Sequence, residues 1–250
     1  MIERLAAIPR SPLRVTLALI VVNVFVYAVM LVGGSTDDDG SFTRQTLIAF
    51  GGIYAPLVRQ GEWWRLFAAA FVHASAAHLV WNMLSLWFLG RYLEARYAAG
   101  RYLGVYLLGA LASSLATLAW YWTTPIVAIG ASGAICALIG AGAVSAWRMG
   151  VRGMEFRNSM LGWAIVVLVN GVTNHANNVA HGSGLASGAG LVFAFGRRGI
   201  AALTPRERGS EALGLVDQIE CSSCGELNPR ESRFCGRCGK ALTLPAGASG

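Results

Sequence analysis

Acidic side chains are scarce in this 250-residue chain, and lysine is all but missing. Aspartate occurs only at positions 37, 38, 39 and 217, and Lys240 is the single lysine. Charged residues of every kind make up 13% of the chain, about half the share in soluble globular domains. A surface facing water needs charge, so the shortage excludes an ordinary soluble enzyme. It equally excludes a disordered tail protein, which combines high charge with few apolar residues. The want of lysine also bears on the net charge of +7, which rests on arginines in short clusters between apolar runs. That pattern is a membrane protein's way of distributing charge and gives no clear sign of a nucleic-acid partner.

What is abundant is apolar: 55% of residues, with a mean hydropathy of +0.52. A bilayer core about 30 Å thick calls for roughly 20 mostly apolar residues per helix. Runs near that length recur at 13–32, 68–89, 102–122, 126–147, 160–172 and 179–195. The last two are short and separated by the polar string 173–178. Arg4, Arg10 and Arg14 lead into the first run. Its apolar stretch is too long for a signal peptide and lacks a small-residue cleavage site, so it reads as a retained helix.

Arginine placement gives the orientation, because cytoplasmic loops accumulate it. With the N-terminus inside, the inner junctions carry Arg91, Arg96 and Arg101, then Arg148, Arg152 and Arg157, then Arg197 and Arg198. The outer junctions at 123–125 and 174–178 carry no formal charge. The expected architecture is an all-α polytopic membrane protein of six transmembrane helices with both ends cytoplasmic. Its parts are a cytoplasmic N-terminus (1–12), a membrane domain (13–196), a linker (197–219), a cysteine module (220–243) and a flexible tail (244–250).

Polar side chains in a bilayer are costly and each asks for a reason. The second run carries His73, His78 and Asn82, the fourth opens with Gly130, Ala131, Ser132 and Gly133, and the sixth with His181, Gly184 and Gly188. The second, fourth and sixth helices all run from outside to inside, so His78, Ser132 and His181 share one depth near the outer face. Serine is a weak nucleophile without a base in reach, and His181 is the candidate base. Gly184 and Gly188 on one helix, with Ser132, Cys136 and Gly140 on the other, allow close backbone approach. Gly130 and Gly133 suit a tight turn into a helix, whose free N–H groups can face a developing oxyanion. His78 and Asn82 lie four apart, on one helical face, and both can donate to the same oxyanion. No carboxylate falls on the fourth or sixth helix, so the expectation is a Ser–His dyad without a third, acidic member.

Other polar and aromatic residues have simpler readings. Ser132 alone would be a small residue at a helix contact, and His181 alone a satisfied bundle histidine. His73 reads as loop packing near the outer surface, and His175 as solvated. Trp63, Trp64, Trp120 and Trp122 read as interface anchors. Cys136 reads as packing.

The three motifs together resemble those of the rhomboid intramembrane serine proteases, over roughly 12–196. These are HxxxN at His78 and Asn82, GxSG at Gly130 to Gly133, and AHxxGxxxG at Ala180, His181, Gly184 and Gly188. The resemblance implies Ser132 as nucleophile and His181 as base, with His78, Asn82 and the backbone N–H groups of Ala131 and Ser132 as oxyanion donors. It implies that Trp64 and Arg65 hold the first outer loop at the membrane edge and that Glu94 braces the scaffold. It implies membrane-protein substrates cut in or near their membrane segment, an active site opening outward, and no cofactor for catalysis. Where many bacterial rhomboids place a tyrosine stacked on the histidine, this chain has Cys136. The competing readings are a proteolytically silent rhomboid-like protein that binds membrane clients, and a transporter or channel. The latter lacks membrane carboxylates for ion coupling and any obvious internal repeat.

Near the end, Cys221 and Cys224, ten intervening residues, then Cys235 and Cys238 form a pair of CxxC knuckles. Four thiolates at such spacing can hold Zn²⁺ tetrahedrally, and the metal then supplies folding energy that so short a segment lacks. The module resembles a zinc ribbon with a structural Zn²⁺. Two disulfides fit poorly with a cytoplasmic location. Arg230, Arg233 and Arg237 do not identify its partner.

Overall fold

The computed structural model describes residues 13–173, 177–194, 218–229 and 232–242. The N-terminal segment 1–12, most of the linker, the tail after 242, and the expectations on His175, Arg197, Arg198 and Arg230 lie outside the described residues.

Nine α-helices and four short strands follow one another in the described chain. Helix α1 spans Arg14–Gly33 and α2 Arg44–Ala49. The two-residue strand β1, Ile53–Tyr54, precedes α3, Ala55–Arg59, and α4, Arg65–Ala68, which runs into a 3₁₀ turn at Ala69–Phe71. Then come α5, Ala76–Leu93, and α6, Ala99–Trp120. Strand β2, Val127–Ala128, leads into α7, Ser132–Arg148; α8 is Met154–Thr173 and α9 is Asn178–Ala194. In the cysteine module, β3 (Gln218–Glu220) pairs antiparallel with β4 (Leu227–Pro229).

Each apolar run of the sequence corresponds to a helix or helix pair, but two of them contain a break. The run 68–89 bends by 91° between its 3₁₀ turn and α5. There Val72 leaves the helical region and Ser75 caps α5, its hydroxyl accepting from His78 N–H. The run 126–147 begins extended, because Val127 and Ala128 pair with Tyr54 and Ile53. The helix starts only at Ser132, after Gly130 at φ +108°. Hydropathy registers apolar character and not helicity, so both breaks were hidden inside continuous runs. Helix α8 starts before its run because Glu155 and Arg157 in its first turns interrupt the apolar pattern without interrupting the helix.

By length and composition, α1 and α6 are able to cross a membrane, and the bent α4–α5 pair would be a third span. Helices α7 and α9 have 17 residues each, about 26 Å at 1.5 Å per residue.

Helix α7 is the axis of the packing: residues 133–142 are all buried, so it is enclosed on every side, as a helix apolar all round must be. Helices α6, α8 and α9 pack on it, and glycine sets the distances. A Cβ on Gly188 would overlap the Ala137 carbonyl oxygen, and one on Gly140 would overlap that of Leu185. On α6, a Cβ at Gly109 would collide with the Ala137 methyl. Small residues thus replace side-chain interdigitation with backbone contact. Helix α1 packs peripherally with a stripe of Thr16, Leu19, Asn23, Tyr27 and Met30, while its outward face, with Phe25 65% exposed, is apolar. An apolar outside around a partly polar inside is the arrangement of a protein surrounded by lipid.

Candidate active site

The segment entering α7 is fixed on both sides. Strand β2 pairs with β1, and the Gly130 N–H donates to the Ala69 carbonyl at 2.8 Å. Gly130 is needed twice over. Its φ of +108° lies in the left-handed region. A Cβ there would also sit 2.9 Å from His78 Cε1 and Nε2. The His78 imidazole therefore lies directly over the turn that delivers Ser132. Ser132 opens α7 next to Ala131, and the first helical hydrogen bond runs from Ile135 N–H to the Ala131 carbonyl. The N–H groups of the opening turn have no partner within a helix, so they are aimed at whatever oxygen occupies the space before it.

Helix α9 brings the histidine. Asn177 caps it, accepting from Ala180 N–H at 3.1 Å and donating to Thr117 Oγ1 of α6 at 3.0 Å. One turn on, His181 is buried, and its Nε2 lies 2.9 Å from Ser132 Oγ. Its other ring nitrogen, Nδ1, lies 3.3 Å from Asn178 Oδ1. The Asn178 amide nitrogen in turn donates to the Leu168 carbonyl of α8 at 3.2 Å. In the sequence Asn178 closes the polar string 173–178. The signal that could have found it is its place three residues before His181, on the same helical face.

Gly184 lets the two helices meet beneath this pair. A Cβ there would overlap the Gly133 carbonyl oxygen and lie 2.9 Å from Cys136 Cβ. Gly133 does the same towards α6, where a Cβ would fall 2.6 Å from Ser113 Cβ. Cys136 is fully buried against α9 and presents no ring to the imidazole.

On α5, Asn82 is buried one turn after His78 and its amide donates to the His78 carbonyl at 2.9 Å, leaving one N–H to serve another acceptor. His73 stands edge-on to His78 with ring centroids 5.0 Å apart. It is fully buried, packed against the imidazole of His78.

The support residues lie further out. Arg65 is buried; it pairs with Glu62 at 2.6 Å, donates to the carbonyls of Ile48 and Gly52, and lies 4.7 Å from the Trp64 ring centroid. It thereby ties α2, the following turn and α4 into one loop. Gly51, at φ +103°, leaves room for the Trp64 ring. Glu94, at the end of α5, accepts from the N–H groups of Val15 and Thr16 and from Thr16 Oγ1, at 2.8, 2.9 and 2.6 Å. A carboxylate at a helix N-terminus satisfies orphan donors and complements the helix dipole.

In the cysteine module the four Sγ atoms lie within 4.8 Å of one another, with Cys221–Cys238 and Cys224–Cys235 each at 3.6 Å. A disulfide needs about 2.05 Å, whereas a tetrahedron with Zn–S near 2.3 Å has edges of about 3.8 Å. Each CxxC ends in a glycine of positive φ, Gly225 at +70° and Gly239 at +75°, whose N–H bonds back to the first cysteine's carbonyl. Two equivalent turns thus present two thiols apiece, and Cys235 Sγ also accepts from Arg237 N–H at 3.4 Å. The donor set fits a tetrahedral metal ion.

Fold and site together define a bundle of close-packed helices, apolar outside, with a serine and a histidine meeting at the starts of two helices in backbone contact. Comparison with known families matches the Rhomboid domain over residues 60–198. The chain belongs to the rhomboid family and is an integral membrane protein. It is 41% identical over 102 residues to Rhomboid protease GluP of Bacillus subtilis (strain 168), covering 41% of this chain and 20% of that protein. It is 26% identical over 204 residues to Rhomboid protease AarA of Providencia stuartii, covering 72% of each. To Rhomboid protease GlpG of Enterobacter sp. (strain 638) it is 29% identical over 191 residues, covering 72% of this chain and 62% of that one. The chain therefore spans only a fifth of GluP but most of AarA.

Proposed function

We propose that this protein is an intramembrane serine endopeptidase that cleaves membrane-protein substrates in or near their membrane segment. The observation that carries the reading is the 2.9 Å approach of His181 Nε2 to Ser132 Oγ at the first turn of α7. In the proposed reaction Ser132 Oγ attacks the scissile carbonyl carbon while its proton passes to His181 Nε2. The C–N bond then breaks as that proton is delivered to the departing amine, leaving an acyl ester on Ser132. Water, deprotonated by the same nitrogen, hydrolyses the ester and restores the serine. His78, the second amide N–H of Asn82 and the N–H groups of Ala131 and Ser132 are assigned to the oxyanion. Trp64, Arg65, Glu94, Gly130, Gly133, Gly184 and Gly188 hold the frame.

The accompanying topology is six membrane spans with both ends cytoplasmic and the site opening outward, supported by the arginine clusters and by the position of Ser132 and His181 at the starts of parallel helices. Cys221, Cys224, Cys235 and Cys238 are assigned as ligands of a structural Zn²⁺, which contributes folding energy to the module and no step to the reaction.

The test is cleavage of a helical membrane substrate by the purified protein in liposomes, with Ser132→Ala and His181→Ala alongside. Both variants are expected to be inactive, and a serine-reactive phosphonate is expected to label the wild type at Ser132. Cleavage persisting in either variant overturns the mechanism. Substrate capture with neither cleavage nor labelling would instead assign a silent client-binding rhomboid.

A further inference from the structure

We propose that Asn178 is a positioning residue for His181, taking the orienting place that the membrane domain fills with no carboxylate. The inference rests on the Ser132–His181 reading and deepens it. The chemistry of the contacts determines the proton's place. The Leu168 carbonyl can only accept, so the atom of the Asn178 amide facing it at 3.2 Å must be the nitrogen. The amide oxygen is then turned towards His181 Nδ1, 3.3 Å away. An oxygen acceptor there selects the neutral imidazole tautomer with its proton on Nδ1. Nε2 is left with a lone pair, facing Ser132 Oγ at 2.9 Å. A backbone carbonyl on α8 thus dictates, through one amide, which histidine nitrogen serves as base.

The surroundings are shaped for that amide. On α8, one turn beyond Leu168, stands Gly171, where a Cβ would overlap Asn178 Oδ1 and lie 2.6 Å from Cγ and 3.0 Å from Nδ2. Cys136 packs under Gly184 and offers the imidazole no aromatic face, so the ring is held from its edges by Asn178 and Ser132. An amide is a dipole and not a charge. It fixes the tautomer and ring plane while giving the imidazolium formed during attack less support than a carboxylate gives.

The experiment compares Asn178→Leu, which keeps the size and removes the acceptor, with Asn178→Asp, which keeps the acceptor and loses the donor to Leu168. Both are measured in the full-length protein in liposomes. Asn178→Leu is expected to lose roughly 30- to 100-fold in kcat with KM unchanged, and phosphonate labelling of Ser132 should slow in step. Asn178→Asp should restore labelling to within about fivefold of wild type. Nitrogen NMR of histidine-labelled protein, with His181 assigned by His181→Gln, should show the Nδ1–H tautomer in the wild type. Asn178→Leu, and Gly171→Ala as a second variant that leaves Asn178 in place, should lose it. Wild-type kcat and an unchanged tautomer in Asn178→Leu would overturn the inference. So would equal losses in the Leu and Asp variants, which would assign Asn178 to holding α9 on α8. Ser132→Ala separates the two levels: residual cleavage there refutes the dyad itself, whereas an inactive Ser132→Ala beside a normal Asn178→Leu refutes only the role of Asn178.

Discussion

The helical domain and the cysteine module fix their functional side chains by opposite means. Around Ser132 and His181, positions are set by what is missing from the side chains. Gly133, Gly140, Gly184 and Gly188 let backbones touch, so the two groups have little room to move apart. Among the described residues of the module, 218–229 and 232–242, regular structure is slight: a pair of three-residue strands, a bridge between Phe234 and Ala241, and the turns that carry the cysteines. The side chains do the holding there, four sulfurs converging on one point. A large buried interface can position a dyad without any ligand, whereas a segment of about two dozen residues needs a staple. The two regions touch where the Arg237 carbonyl lies against Gly150, but their different means of support lead us to expect that they fail separately.

The sharpest way to break it is Gly188→Leu. A side chain at that position would drive into the Ala137 carbonyl and part α7 from α9. We expect cleavage to fall below detection and thermal stability to drop, an overpacking cost of about 3 kcal/mol. Metal content of the module should stay unchanged. The complementary experiment is metal removal. A strong chelator, or Cys221→Ser with Cys235→Ser, should release one zinc per chain and abolish the protease resistance of the module. Liposome cleavage by Ser132 should stay within about twofold of wild type, since no step of the proposed reaction uses the metal. Loss of cleavage on chelation would show that the two regions are coupled.

The same contrast explains how much could be read in advance. Apolar runs gave away the helices, and motif spacing singled out Ser132, His181, His78 and the four cysteines as candidates because each chemistry restricts residue type; the structure brings Ser132 to His181 and the four sulfurs to one another. The bend at 72–75 and the extended start at 126–131 escaped, because Val72, Val127 and Ala128 are as apolar as any helical residue and their conformation follows from β1 and from the turn at Gly130. Asn178 escaped for a different reason. Its significance comes from a backbone carbonyl, that of Leu168, which has no side-chain signature. The contact of His73 with His78 has no signature in the spacing of the motifs; it comes from the bend before α5, which lays the two rings edge to face.

A smaller effect is expected at the periphery of the helical domain. Glu94→Gln retains the shape but exchanges a charged acceptor for a neutral one at the start of α1, where Val15 and Thr16 donate. The predicted loss is about 1 to 2 kcal/mol in the unfolding of α1 from the bundle, read as a lower midpoint in denaturant titration in micelles. Cleavage should persist at temperatures where the bundle is intact, because Ser132 and His181 are held by α6, α7, α8 and α9.

The smallest effect concerns Cys136, and it discriminates between two ways of holding an imidazole. If the residue at that position steadied His181, removing its side chain would slow the reaction strongly. In this structure Cys136 is buried with its Cβ against Gly184, and the ring is bounded instead by Asn178 and Ser132. Cys136→Ala keeps the Cβ and deletes only the sulfur, so the expected cost is about 1 kcal/mol of packing. kcat is expected to stay within about twofold of wild type. Measured together, a neutral Cys136→Ala and a strongly impaired Asn178→Leu would locate the support of the base on the α8–α9 side. The reverse pattern would place it on α7.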